Sequence, residues 1–249
     1  MPILSLCTWC RDWPPLREAL PANLATIAAH PWVEICVVDL GSKDDTVEWL
    51  RFLAESYPQL RWASQHLDPL HFAAAYNRCH RLASGQILAS VDADNVIGPR
   101  YCEFVRESID ADPLAIVHCW TGDWLDGTCG RLALHRDLFD RIGGYDEALE
   151  PIGVQDIDLR DRARLAGGRI VLQQDPDVVG RAIFTRLETK LQNLPGVSYT
   201  ESNGRNAARS AANVAAGRWR ANAPPPTGEH RGADATPLAG ESSRQTPGG

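Results

Sequence analysis

No window of the sequence approaches the length and apolarity of a membrane-spanning helix, and its apolar start, Pro2 to Cys7, is too short and lacks the flanks of a signal peptide. Those absences predict a cytoplasmic protein without a transmembrane segment. A basic stripe is missing too: the formal charge is -7, and a nucleic-acid backbone rewards clustered Lys and Arg, so no nucleic-acid partner is expected. The one locally basic segment, Asn203 to Arg220, interleaves Arg205, Arg209, Arg218 and Arg220 with Ala, Val and Trp, the pattern of a docked amphipathic helix with a solvated face. The seven cysteines are odd in number and scattered, and none forms a second pair at ligand spacing from Cys7-Thr8-Trp9-Cys10. A disulfide framework is therefore not expected, and a zinc or redox reading of that C-x-x-C lacks support; small buried hydrophobes fit better. Neither G-x-G-x-x-G nor G-x-x-x-x-G-K-[ST] occurs, so neither a dinucleotide fingerprint nor a P-loop is present. Large apolar residues are almost absent from Ala221 to Gly249, which is dense in Pro, Gly, Ser and Thr. We read 221–249 as a disordered tail and 1–220 as one α/β domain.

What the chain does carry centres on Gln86 to Pro99, QILASVDADNVIGP. Ile87, Leu88, Ala89 and Val91 form a short apolar run suited to a central strand covered on both faces. Asp92, Ala93, Asp94 and Asn95 follow at its carboxyl end, and Gly98-Pro99 opens a helix expected to run to about Asp110. Ligands of open α/β sheets sit beyond strand ends. In extended chain, residues two apart point the same way, so Asp92 and Asp94 can face one cleft. Two such carboxylates suit a hard divalent cation that bridges to a diphosphate.

Upstream, strands are predicted over Ile3 to Thr8, Val33 to Val38 and Arg61 to Gln65, and helices over Leu16 to Ala29, Thr46 to Ser56 and Leu70 to Ala83. That alternation implies a mostly parallel sheet with helices on both faces. Asp39, at the end of the second strand, reads equally as a turn residue or as a hydrogen-bond acceptor for a base or ribose. Downstream, Leu114 to Cys119 and Arg131 to His135 are expected strands, Arg136 to Ile142 a short helix, and Trp120 to Gly130 a polar loop. A second cluster then runs from Gly143-Gly144-Tyr145-Asp146-Glu147 to Gly153-Val154-Gln155-Asp156-Ile157-Asp158. Asp156 opens a helix, where free N–H groups and the dipole favour an anion; it reads as a capping acid or as a catalytic one.

Taken together, ILSLCT with Arg11, VEICVVDLGSKDDT, Asn77 through ASGQILASVDADN, and IGGYDEALEPIGVQDIDLRDRA resemble the nucleotide-sugar-dependent glycosyltransferases of family 2. The resemblance implies a GT-A fold, a mixed, mostly parallel sheet flanked by helices, with a nucleotide-binding half (1–98) and an acceptor half (99–220). It implies inverting transfer of a hexosyl or N-acetylhexosaminyl group, as in polysaccharide biosynthesis, from a nucleotide sugar, a UDP-sugar before others, to a glycan or other hydroxyl acceptor. It assigns donor binding to Thr8, Arg11, Asp39, Asn77, Asp92 and Asp94, a metal (Mn2+ or Mg2+) to Asp94 and Asp92, and the catalytic base to Asp156. Leu40 stands where a second acid often follows, and Gln155 where Glu commonly precedes the base. No His stands between Asp158 and the tail to complete the metal site, leaving His118 or His135 to substitute.

Two other readings were weighed. Asp92-Ala93-Asp94-Asn95-Val96 also fits the first motif of haloacid-dehalogenase-type phosphatases, but that family needs a Lys between this motif and a later acidic pair, and the only lysines, Lys43 and Lys190, fall outside that interval. A nucleotide-sugar-binding module without turnover shares every motif above.

Overall fold

The apolar runs of the first half become three parallel strands, β1 (Leu4–Cys10), β2 (Val33–Asp39) and β3 (Leu60–Ser64), in a computed structural model that describes residues 3–124, 126–183 and 191–222. Between them lie α1 (Leu16–Ile27), which begins after Pro14-Pro15, and α2 (Thr46–Ser56). The first turn of α2 is held by the Asp44 carboxylate, which accepts from Thr46 N (3.0 Å), rather than by Asp45. Helix α3 (Phe72–Leu82) starts two residues later than its apolar pattern suggested, because His71 caps it: its ring nitrogen accepts from Ala74 N (3.4 Å). Strand β4 (Ile87–Ser90) then adds beside β1.

Past β4 the chain changes direction. After the two-residue strand β5 (Asn95–Val96), α4 (Tyr101–Ala111) leads to β6 (Ala115–Cys119), β7 (Leu132–His135), α5 (Arg136–Ile142) and α6 (Gln155–Leu165). Strand β7 runs antiparallel to both β4 and β6. The outermost strand, β8 (Arg169–Gln173), pairs parallel with β6 and was not anticipated from the sequence. A short helix, α7 (Pro176–Val179), and β9 (Arg181–Ala182), paired antiparallel with β5, follow. Helix α8 (Tyr199–Ala215) is the last element among the described residues.

The seven main strands form one mixed, mostly parallel sheet in the order β3-β2-β1-β4-β7-β6-β8. Because side chains alternate along a strand, the sheet feeds two cores. Leu4, Leu6, Ile35 and Val37 pack with Leu20, Leu24, Leu50 and Val105, while Cys7, Cys36, Val38 and Leu88 pack with Cys79, Leu138, Phe139 and Leu159. Cys7 and Cys10 are both buried free thiols. Among the described residues no helix is long and apolar enough to cross a membrane.

Packing on the Gly-Gly turn continues past residue 220. Ala221 is buried and donates its N–H to Ile142 O (2.8 Å); the Asn222 amide donates to Gly143 O and Tyr145 O (both 2.7 Å) and accepts from Glu147 N (3.2 Å). At Gly143, with φ of 78°, an added Cβ would stand 2.0 Å from Ala221 O, so the turn and the Ala221 segment fit only with glycine there. The expected tail thus begins two residues inside the folded body, and the rest of it, 223–249, lies outside the described residues.

Candidate active site

The carboxyl ends of β1 and β4, with the first turns of α3, open a cleft of about 500 Å³. Trp9, Cys10, Arg11 and Trp13 line one side, Leu70, Phe72 and Tyr76 another, and Asp92, Ala93 and Asp94 the floor, with Asn193 at the rim. The D-x-D brings both carboxylates to one cleft, but through a turn closed by Asn95 N donating to Asp92 O (2.9 Å) rather than through the extended chain expected. Each is held by a neighbour: the Tyr76 hydroxyl donates to Asp92 Oδ1 in a short hydrogen bond, and the Asn95 amide donates to Asp94 Oδ1 (2.7 Å). Burial first and Asp92 second push the Tyr76 phenol well above its ordinary range, so it stays protonated and available as that donor. Behind it Tyr76 stacks on Tyr145 (4.7 Å between ring centres), whose hydroxyl meets Ser90 Oγ (2.6 Å). Ser90 also contacts His80, whose pKa burial lowers to about 4, so the ring is neutral.

Thr8 and Arg11, expected to bind the donor, carry two of the few buried polar atoms without a hydrogen-bond partner among the described residues, Thr8 Oγ1 and Arg11 Nε. Arg11 faces the cleft, anchored by Nη1 to Leu67 O (3.0 Å), and Thr8 lines a small hollow that adjoins it at Asp92 and Ala93. Unpaired buried groups are costly, and a bound ligand is one way to satisfy them.

Two expected donor-binding residues are placed elsewhere. Asp39 is fully buried and does not line the cleft; its carboxylate accepts from Gly41 N (3.2 Å), Ser42 N (3.1 Å) and Ser64 Oγ (2.9 Å), which is the turn role. Asn77 is also buried, and its amide is spent on the Gly-Gly-Tyr turn: it accepts from Tyr145 N (2.9 Å) and donates to Tyr145 O (2.9 Å) and Glu147 Oε1 (2.8 Å). It shapes the second motif rather than facing the cleft.

Asp156 sits in the first turn of α6, where Ile157 N donates to its Oδ1 (2.9 Å). The dipole and these N–H groups were expected to favour the anion. Burial outweighs them: it raises the Asp156 carboxyl above the usual range, the negative charge of Asp92 adds to the rise, and a hydrogen bond from the Cys129 thiol and the one from Ile157 only partly oppose it. The proximity of Asp92 and Asp156 is thus visible in their electrostatic coupling. Cys129 had no role in the sequence reading; the backbone that carries it is held by His118, whose Nε2 bonds Cys129 O (2.9 Å). At Gly130, an added Cβ would stand 3.3 Å from Asp92 Oδ2, so this loop passes directly against the D-x-D.

Asp158, the second acid in the first turn of α6, is held in a buried ion pair. It is fully buried, and its Oδ2 accepts from Arg162 Nε (2.7 Å); Arg162 in turn donates to Ile142 O (3.1 Å) and Gly144 O (2.8 Å). This pair locks α6 to the Gly-Gly turn.

The donor set at the floor of the cleft fits a divalent cation. Asp92 and Asp94 are oxygen donors, and among the described residues no group of three His, Cys, Asp or Glu side chains converges. Mg2+ and Mn2+ commonly take one or two carboxylates and leave other positions to substrate phosphates and water. His118 and His135 do not complete the set: His118 bonds Cys129 and stacks on Trp120, and His135 caps α5 through Asp137 N (3.2 Å).

A family model described as glycosyl transferase family 2 matches residues 6–142, more than half of the chain. The uncharacterized glycosyltransferase YibD of Escherichia coli (strain K12) is 33% identical over 103 residues, which are 41% of this chain and 29% of that protein. The chain therefore spans less than a third of the curated relative it matches. Among solved structures, the mannosyltransferase PcManGT from Pyrobaculum calidifontis, in complex with GDP-Man and Mn2+, superposes with a TM-score of 0.61 at 19% identity, covering 87% of this chain and 74% of its own. S. aureus TarS 1-349 in complex with UDP-GlcNAc gives 0.55 at 15%, covering 70% and 56%. At those identities the likeness establishes the fold, which is of GT-A type. The family match then places the chain, on its sequence, in glycosyl transferase family 2.

Proposed function

We propose that this protein transfers a hexosyl or N-acetylhexosaminyl group from a nucleoside-diphosphate sugar to an acceptor hydroxyl, with inversion and with help from a divalent metal. The observation that carries the reading is the position of Asp92: it lines the cleft as part of the D-x-D, and it is close enough to Asp156 for its charge to raise that carboxyl. A site for a diphosphate and a candidate base thus share one electrostatic neighbourhood. Asp94 and Asp92 would hold Mg2+ or Mn2+, which supplies positive charge to the departing diphosphate. Arg11 and Thr8, with their unpaired atoms, offer hydrogen bonds to the nucleotide. Asp156, a stronger base than an ordinary Asp once ionised, takes the proton of the attacking hydroxyl. The donor class is supported by the GDP-Man bound to PcManGT and the UDP-GlcNAc bound to TarS.

A donor panel tests this. The full chain is incubated with UDP-, GDP- and dTDP-sugars plus Mn2+, and released nucleotide is measured. Release above the spontaneous rate with at least one donor, abolished in Asp94→Ala with the melting temperature kept, is the expected result. Binding of a nucleotide sugar without any release would replace the transferase with a binding module.

A further inference from the structure

Beneath the D-x-D lies a charge that the proposed chemistry has not used. Arg131 is among the largest fully buried side chains, with 0% exposure. Among the described residues its guanidinium pairs with no carboxylate. Nε donates to Asn95 Oδ1 (2.7 Å), Nη2 to Arg181 O (2.7 Å), and Nη1 to Val179 O in a short contact. Burial lowers its pKa, and the negative charges of Asp92 and Asp126 are among the groups that oppose that shift. A buried guanidinium can only donate, so it dictates which end of the Asn95 amide faces it. The oxygen must turn toward Arg131, and the NH2 is thereby turned to the other side, where it donates to Asp94 Oδ1 (2.7 Å) and reaches Gly127 O (3.3 Å).

We infer that Arg131 and Asn95 form a relay that positions Asp94 for a divalent cation. This rests on the metal-assisted reading above and deepens it by naming the residues that hold the first ligand in place. Neither residue touches the cation; both are positioning residues. The same relay fixes the backbone around the site. Asn95 pairs with Ala182 across β5 and β9, Ile183 N donates to Asp94 O (2.7 Å), and Arg131 is bonded to the carbonyls of residues 179 and 181 on the same segment. One buried cation thus couples the side chain of the metal ligand, through one amide, to the strand pair that carries its main chain. Partners that orient a ligating carboxylate commonly matter about 10–100-fold in metal affinity.

The test is a Mn2+ titration followed by electron paramagnetic resonance, on the full chain, with UDP and separately with GDP present. Wild type should hold Mn2+ more tightly than the free nucleotide does. Asn95→Ala, which removes both ends of the relay, should weaken that binding about 10–100-fold while nucleotide affinity without metal stays unchanged. Asn95→Ser keeps one hydroxyl able to accept from Arg131 and donate toward Asp94, and should fall between the two; it also decides the matter if the alanine variant does not fold. Wild-type affinity in a folded Asn95 variant would overturn the relay and leave the metal site standing. A wild-type chain that adds nothing to the Mn2+ affinity of free UDP or GDP would overturn the metal reading and the relay with it.

Discussion

Asp156 is held between opposing influences, and their balance sets two measurable properties. Burial and the charge of Asp92 raise its carboxyl, so the folded chain keeps this proton to higher pH than the unfolded chain does. As pH rises from the ordinary carboxylate range through the folded value, the unfolded form ionises first and the fold loses stability; above that value the loss is complete. Asp156→Asn should therefore melt higher than wild type near neutral pH, with the two curves converging in acid, while transfer falls by about 10²–10⁴-fold. Thermal melts across pH and rates with a saturating donor check both halves, and a variant that melts lower at neutral pH would contradict the dominance of burial. Asp158 predicts the reverse. Removing it leaves the buried Arg162 guanidinium without its carboxylate, so Asp158→Ala should cost about 3–5 kcal/mol of stability in denaturant unfolding. In the sequence the two acids look alike, but a helix turns about 200° over two residues, so they face different ways. Which faced inward was legible too, since Arg162 stands four residues after Asp158, the spacing of a helical ion pair. Asn77 was not legible in this way, because its partners, Tyr145 and Glu147, lie far along the sequence; Asp39, held by the nearby Gly41 and Ser42, fits the turn reading that its place after the second strand already offered.

Helix α8 docks in a manner that an amphipathic pattern does not foretell. Its buried positions are Ser202, Asn206 and Ser210 rather than an apolar stripe. The Asn206 amide donates to Glu150 O (3.3 Å), Ile152 O (3.2 Å) and Gly153 O (2.7 Å) and accepts from Glu150 N (2.6 Å), while Ser202 Oγ donates to Ile152 O (2.6 Å). These bonds clamp the loop that leads directly into Asp156. Asn206→Ala leaves those backbone groups short of a partner and should cost about 1–3 kcal/mol. It should also impair transfer more than donor binding, because the proposed base, Asp156, is displaced while the D-x-D cleft is not. Parallel measurement of donor affinity and turnover checks that split. Ala221 and Asn222 work on the same motif from the other side, on the Gly143–Tyr145 turn. A chain ending at Asn222 should melt measurably above one ending at Arg220, and equal melting would show that those bonds are replaced by solvent at no loss. At this scale the helices bounded by proline or by a strong apolar face were readable within a few residues. Strand β8 was not, since it is short, lies at the sheet edge, and leaves Ile170 and Leu172 exposed. Its Ile170-Val171-Leu172 run is nonetheless rich in β-branched residues, which is a strand signal.

Across the whole molecule, alternating strands and helices made the parallel half of the sheet legible, and the acid-ended strand β4 marked where the cleft opens. The reversal at β7 was harder to read, because an antiparallel strand inserted between β4 and β6 is decided by pairing rather than by the local pattern. That reversal matters for chemistry. It joins the half carrying Asp92 and Asp94 to the half carrying Asp156 through one continuous sheet, so carboxylates about sixty residues apart in sequence become electrostatic neighbours. If Asp94 and Asp92 serve the leaving diphosphate and Asp156 serves the incoming hydroxyl, bond making and bond breaking occur together at the anomeric carbon. The nucleophile then attacks opposite the departing group, and configuration inverts. Retention by double displacement would need a protein carboxylate bonded to the sugar between two steps, and the assigned roles leave no acid for that purpose. An α-linked donor should accordingly give a β-linked product, read from the anomeric proton coupling in NMR of the isolated glycoside. An α-linked product would assign Asp156 a different role, even if Asp156→Asn is inactive.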